Sequence, residues 1–165
     1  MIVTKRAPGL GRSFAAEQFP QLPASLWTAA RQEAESRILH DSKFEAYASD
    51  IDEDILDITY ENALRAGVEP YLNIFQADAR RIKREDRKGT VVCNPPYGER
   101  LMEEKTVQKL YHDMGVKFEQ FPNAKKYILT SYENFEKFYG KKADKKRKLY
   151  NGMIKCQLFM YFKKP

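Results

Sequence analysis

Asn94-Pro95-Pro96-Tyr97, followed by Gly98, comes directly after the apolar run Thr90-Val91-Val92-Cys93. An amide side chain, two prolines and an aromatic ring therefore stand where a buried strand gives way to a loop. Each proline fixes its own φ and donates no backbone hydrogen bond, so the loop is stiff. A planar, amine-bearing ring fits between such an amide and such an aromatic side chain. The exocyclic amine of adenine or guanine is a poor nucleophile because its lone pair is delocalised into the ring. If the Asn94 side-chain oxygen and the Pro95 carbonyl both accept from that NH2 group, the nitrogen is steered toward tetrahedral geometry. Its lone pair then points at an electrophilic methyl group, and the same acceptors stabilise the developing positive charge. Tyr97 stacks against the base and fixes its plane. No general base of shifted pKa is needed, since the proton leaves after the methyl arrives. A base inside a duplex is out of reach, so the target must be unpaired or flipped out. Chance places this tetrapeptide in a chain of this length on the order of one time in a thousand. A purely structural Pro-Pro turn is the competing reading.

Two other strand ends carry acids. Tyr47-Ala48-Ser49-Asp50-Ile51-Asp52 has one carboxylate at the end of an expected strand and another opening the next helix. A carboxylate at that place can accept from both hydroxyls of a ribose, whereas helix capping alone accounts for Asp52. Gln76-Ala77-Asp78-Ala79 ends a second strand. A single acid after a strand is common, so Asp78 gains weight only from its company. Ligands of parallel α/β sheets collect at the carboxyl ends of strands, where all three segments lie.

The elements that must position these residues follow from periodicity and punctuation. Residues 1–25 read as irregular, broken by Pro8, Gly9, Gly11, Pro20 and Pro23. Apolar positions at helical spacing predict a helix from Ala24 to Leu39, with Trp27 on its core face. A strand at Glu45–Ser49 precedes a helix that Asp52 caps and Gly67 ends. Strands are expected at Leu72–Gln76, Gly89–Cys93 and Lys126–Thr130. Helices are expected at Thr106–Phe121 and Tyr132–Tyr139. Lys148–Tyr150 and Met153–Phe162 flank Asn151-Gly152, a hairpin signal of the type I′ kind with φ > 0 at both central positions. Alternating helices and strands imply parallel βαβ units.

The bulk properties agree with one domain and exclude little else. The chain has 165 residues, enough for a real core. No apolar run approaches the roughly 20 residues that span a bilayer. Cys93 and Cys156 lie in strand-like runs and read as small core residues, which fits a reducing cytoplasm. His40 and His112 are isolated, so no metal site is expected. The net charge of +6 favours a polyanionic partner only weakly. Its distribution says more: Lys141, Lys142, Lys145, Lys146, Arg147 and Lys148 form one run, and Arg80, Arg81, Lys83, Arg84, Arg87 and Lys88 another. Each reads as a solvated face or as phosphate contacts.

At these residues the chain resembles the S-adenosylmethionine-dependent amino-methyltransferases with an (Asp/Asn)-Pro-Pro-Tyr motif. More narrowly it resembles the bacterial ribosomal RNA guanine-N2 methyltransferases, often labelled N6-adenine-specific DNA methylases. The segments that carry the resemblance are Ala7–Phe14, Ser49–Asp52, Asn62–Val68, Asn94–Arg100, Lys148–Gly152 and Cys156–Phe159. The resemblance implies an α/β, Rossmann-like S-adenosylmethionine methyltransferase fold with a C-terminal antiparallel hairpin, forming one catalytic domain over residues 1–165. It implies that Asp50, with Ile51, holds the cofactor ribose, and that Asp78, with Ala79, meets the cofactor adenine. Asn94, Pro95 and Tyr97 would form the catalytic target-base site, with Asn94 also facing the cofactor. The family's first strand and glycine-rich loop, of the type Asp-x-Phe-x-Gly-x-Gly-Thr, have no counterpart before Ala7. The fold is therefore expected to lack that strand, and the 165-residue chain to bind cofactor weakly or not at all. The implied function is methylation of guanine N2 in 23S ribosomal RNA, in the cytoplasm. The alternatives are an N6-adenine DNA methyltransferase and a non-catalytic nucleic-acid-binding module using the Lys141–Lys148 run.

Overall fold

A computed structural model describes residues 1–83, 88–97 and 104–162. Arg84 and Arg87 of the second basic run, and Gly98 to Arg100 of the motif segment, lie outside them. The chain divides into two compact units, Met1–Ala77 and a second that begins at Asp78.

The first unit holds α1 (Ala24–Ser36), β1 (Ala46–Asp50), α2 (Glu53–Arg65) and β2 (Leu72–Gln76). β1 and β2 pair in parallel, from Ala46 opposite Leu72 to Asp50 opposite Gln76, with α2 as the connection. The Asp52 carboxylate accepts from the Asp54 N–H at 3.0 Å, so the expected cap forms. Gly67 adopts φ +61°, and the Arg6 guanidinium lies where a Cβ would stand, 2.7 Å away. This unit buries little. Among its described residues only Thr4 and Ala63 are buried, and α1 buries none. Trp27 is half-buried rather than part of a closed core: it stacks on Phe14 with ring centroids 5.9 Å apart, and its indole N–H is buried without a partner. The neighbouring irregular segment holds α1 mainly through Phe14 and the 2.5 Å Arg31–Glu17 ion pair.

The second unit holds β3 (Gly89–Cys93), α3 (Glu104–Glu119), β4 (Ala124–Thr130), α4 (Phe135–Tyr139), β5 (Lys145–Asn151) and β6 (Ile154–Tyr161). Its sheet runs β3-β4-β6-β5, with β3 parallel to β4 and the other pairs antiparallel. β4 alternates buried positions with exposed or half-buried ones, as a strand with a helix-covered face should. Tyr111, Met114 and Phe118 of α3 pack with Ile128, Phe135 and Phe159 to form the core. The Phe135 ring meets Tyr111 edge-on at 5.0 Å. α4 approaches α3 so closely that a Cβ at Gly115 would lie 2.1 Å from the Tyr139 carbonyl oxygen. Cys156 is buried and Cys93 half-buried, and neither forms a disulfide.

The hairpin turn differs from expectation by one residue. Asn151 is the last residue of β5, opposite Ile154, so the loop is Gly152-Met153. Gly152 has φ +59° and Asn151 does not have positive φ. Glycine at the first central position is the type II′ pattern, which turns the strands as well as type I′ does.

Candidate functional site

The Asn94–Tyr97 loop leaves the carboxyl end of β3, as the sequence implies. Asn94 is exposed, Pro95 buried and Tyr97 half-buried. Two contacts from distant elements fix the loop. The first is the Tyr111 phenol, which donates to the Pro96 carbonyl at 2.9 Å and lies 3.0 Å from the Thr130 hydroxyl. A phenol has one proton, so with Pro96 as its acceptor the Thr130 hydroxyl must donate to Tyr111. Thr130 in turn accepts from the Tyr132 N–H at 3.1 Å. The result is a directed chain, Tyr132 to Thr130 to Tyr111 to Pro96. Burial pushes the Tyr111 phenol up to about 12, so it keeps its proton at any ordinary pH.

The second contact is Asn151, whose side-chain amide donates to the Tyr97 phenolic oxygen at 2.9 Å. Tyr97 is thereby tied to the tip of the β5–β6 hairpin, 54 residues away in sequence. Sequence reasoning missed Tyr111, Thr130 and Asn151 as site residues. Thr130 was findable, because it ends β4, the strand parallel to β3, and strand ends are where site residues collect. Tyr111 reads only as one apolar position of a helix, and Asn151 reads as a turn residue.

The cofactor candidates divide between the two units. In the first, Asp50 ends β1, half-buried, and its carboxylate accepts from the Asp52 N–H at 3.1 Å. The Asp50 carbonyl accepts from the Ala77 N–H at 2.9 Å, and Gln76 donates to the Ile51 carbonyl at 3.0 Å. Ile51 itself is 62% exposed. These bonds orient one carboxylate oxygen of Asp50 and fit a diol at the other. In the second unit, Asp78 is engaged by Arg80. The guanidinium Nε lies 2.9 Å from both carboxylate oxygens and a terminal nitrogen 2.5 Å from one, while the Arg80 N–H also donates to the carboxylate at 2.9 Å. That guanidinium holds the Asp78 carboxyl below its ordinary range. Ala79 follows, half-buried. Asp78 thus offers an adenine amine only the lone pairs that Arg80 leaves.

Lys145, Lys146, Arg147 and Lys148 of the Lys141–Lys148 run lie in the exposed edge strand β5, where Lys146 pairs with Glu136 at 2.8 Å, and Lys141 and Lys142 precede it. Among the described residues no cluster of three potential metal ligands occurs, and no helix is long and apolar enough to cross a membrane.

A family model described as RMKL-like, methyltransferase domain, matches residues 1–159. The chain belongs to that family. The RMKL-like domain is 42% identical over 158 residues to the candidate RNA methyltransferase YpsC of Bacillus subtilis (strain 168), covering 96% of this chain and 41% of that protein. It is 33% identical over 161 residues to the ribosomal RNA large subunit methyltransferase K/L of Legionella pneumophila (strain Philadelphia 1), covering 96% of this chain and 23% of that protein. Among solved structures, SMU.472, a candidate methyltransferase complexed with SAH, superposes with a TM-score of 0.94 at 37% identity, covering 98% of this chain and 43% of that one. The RMKL-like domain therefore has the α/β methyltransferase fold with a mixed sheet, and it spans less than half the length of each of these relatives.

Proposed function

We propose that the protein containing this RMKL-like domain transfers a methyl group from S-adenosylmethionine to the exocyclic amine of an RNA base, with guanine N2 of 23S ribosomal RNA as the target, in the cytoplasm. The observation that carries the reading is the fixed Asn94–Tyr97 loop. Catalysis by preorganised acceptors requires that they not reorganise as charge develops. Two prolines, the Tyr111 bond to Pro96 and the Asn151 bond to Tyr97 meet that requirement.

In this reading the Asn94 amide oxygen and the Pro95 carbonyl accept from the target amine, and the Tyr97 ring stacks on the base. The cofactor, when bound, supplies an electrophilic methyl group. Asp50 would hold its ribose hydroxyls, Ile51 would line the same strand end, and Asp78 with Ala79 would receive its adenine beside Arg80. Asn94 would also face the cofactor. The methyl would leave with its sulfur–carbon bond pair remaining on sulfur as a neutral thioether, so the positive charge passes to the amine, whose protons the two acceptors hold until one is lost to water. The name of the K/L relative supports ribosomal RNA as the substrate; the choice of guanine rests on the resemblance of the motif segments to the guanine-N2 methyltransferases, since the Asn94 oxygen serves either purine amine equally.

The test is product analysis. The protein is incubated with isotopically labelled S-adenosylmethionine and ribosomal RNA, and the RNA is digested to nucleosides. Label in N2-methylguanosine is expected. Label in N6-methyladenosine, or in duplex DNA alone, would reject the proposed target.

A further inference from the structure

The β5–β6 hairpin tip carries groups that the target-base chemistry does not use. Tyr150 is 63% exposed and Met153, in the turn, 98%. Tyr150 stands directly opposite Lys155 across the hairpin, and the Lys148 ammonium lies 5.3 Å from the Tyr150 ring centroid. Side chains alternate along a strand, so Asn151 leaves the tip toward Tyr97 while Tyr150 leaves it on the other face. An exposed ring flanked by two cations, one residue from a side chain that grips the target-base loop, is an unusual use of a hairpin tip. A solvated turn needs neither the ring nor the grip.

The chemistry of the pair identifies a ligand. A flipped base leaves its neighbours in the strand without their stacking partner. Such a nucleotide is taken by an aromatic face, with its phosphate on a cation. We propose that the hairpin tip is a second RNA contact: a nucleotide flanking the target base stacks on Tyr150 between Lys148 and Lys155, while Asn151 positions the Tyr97 ring for the target base itself. This deepens the reading of Asn94–Tyr97 as a target-base loop and rests on it. Asn151 is a positioning residue, since it acts through the Tyr97 phenol and touches no reacting atom.

The test uses a fluorescent, guanine-containing, single-stranded oligoribonucleotide and reads its affinity by anisotropy between about 50 and 200 mM salt. Tyr150→Ala weakens binding by about 5–150-fold, the range for losing one stacked base, and Tyr150→Phe restores it. Lys148→Ala and Lys155→Ala each reduce the salt slope by about 0.7, the value for one single-strand phosphate contact. All three side chains are exposed, so loss of folding does not mimic these results. Asn151→Ala lowers kcat for methyl transfer in the wild-type background and has no further effect in Tyr97→Phe, where the bond is already gone. Wild-type affinity and salt slope in the Tyr150 and lysine variants would overturn the contact. An equal kcat loss from Asn151→Ala in both Tyr97 backgrounds would overturn the positioning role. Failure of the underlying reading gives a different pattern: no methyl enters RNA, although the hairpin variants still change oligonucleotide affinity.

Discussion

Tyr111 shows how much of the site depends on one buried proton. Its phenol satisfies the Pro96 carbonyl, and removing the hydroxyl leaves that carbonyl and the Thr130 hydroxyl short of a partner. An unsatisfied buried group costs about 1–3 kcal/mol, so Tyr111→Phe should lower thermal stability by that order and slow methyl transfer. The pH dependence has a definite sign. The folded phenol titrates near 12 against about 10 in an unfolded chain, so between those values the folded state binds the extra proton. Its stabilising contribution is complete below pH 10 and is lost as pH rises toward 12. Melting curves of the wild type should fall more steeply across that window than those of Tyr111→Phe; parallel curves would contradict the assignment. The position of Asn94, Pro95 and Tyr97 at the end of β3 was legible in the sequence, because their types are rare together and follow an obvious strand. Tyr111 was not, because only tertiary packing decides which phenol on a helix meets a loop.

At the level of elements, Gly115 sets the distance between α3 and α4. A Cβ there would meet the Tyr139 carbonyl oxygen at 2.1 Å and its carbon at 3.0 Å, both backbone atoms that cannot swing aside. Gly115→Ala should therefore cost about 1–3 kcal/mol through forced backbone shifts, despite the better helix propensity of alanine. A chemical-denaturation midpoint at or above that of the wild type would show that the contact is not close. The strands β2 and β3 begin and end where alternation and glycine place them. β5 starts three residues before the expected Lys148, because pairing with β6 extends through Lys145, opposite Met160, a partner that local charge does not reveal. α4 begins at Phe135 rather than the expected Tyr132, whose N–H bonds the Thr130 hydroxyl two residues back. For β5, strand pairing extended a correct local signal.

On the scale of the whole molecule, the two units differ in how much they bury. The second has an aromatic core of fully buried side chains, whereas the first leaves Tyr47, Ile58, Leu64 and Phe75 largely exposed and buries only Thr4 and Ala63 among its described residues. The helical period of α2 was legible, but periodicity says which face is apolar, not that anything covers it. Local opening should be easier where few apolar groups are buried. Hydrogen exchange should therefore be faster in α1 and α2 than in α3 and β4, and uniform protection would contradict that order. The central claim, that the Asn94 loop methylates a base amine, concerns turnover rather than stability. It is tested most directly by measuring kcat and RNA affinity together for Asn94→Ala. The predicted result is a loss of about 10²–10³ in kcat, the cost of removing one preorganised charge-stabilising group, with RNA affinity close to wild type. Unchanged turnover in Asn94→Ala would contradict the account.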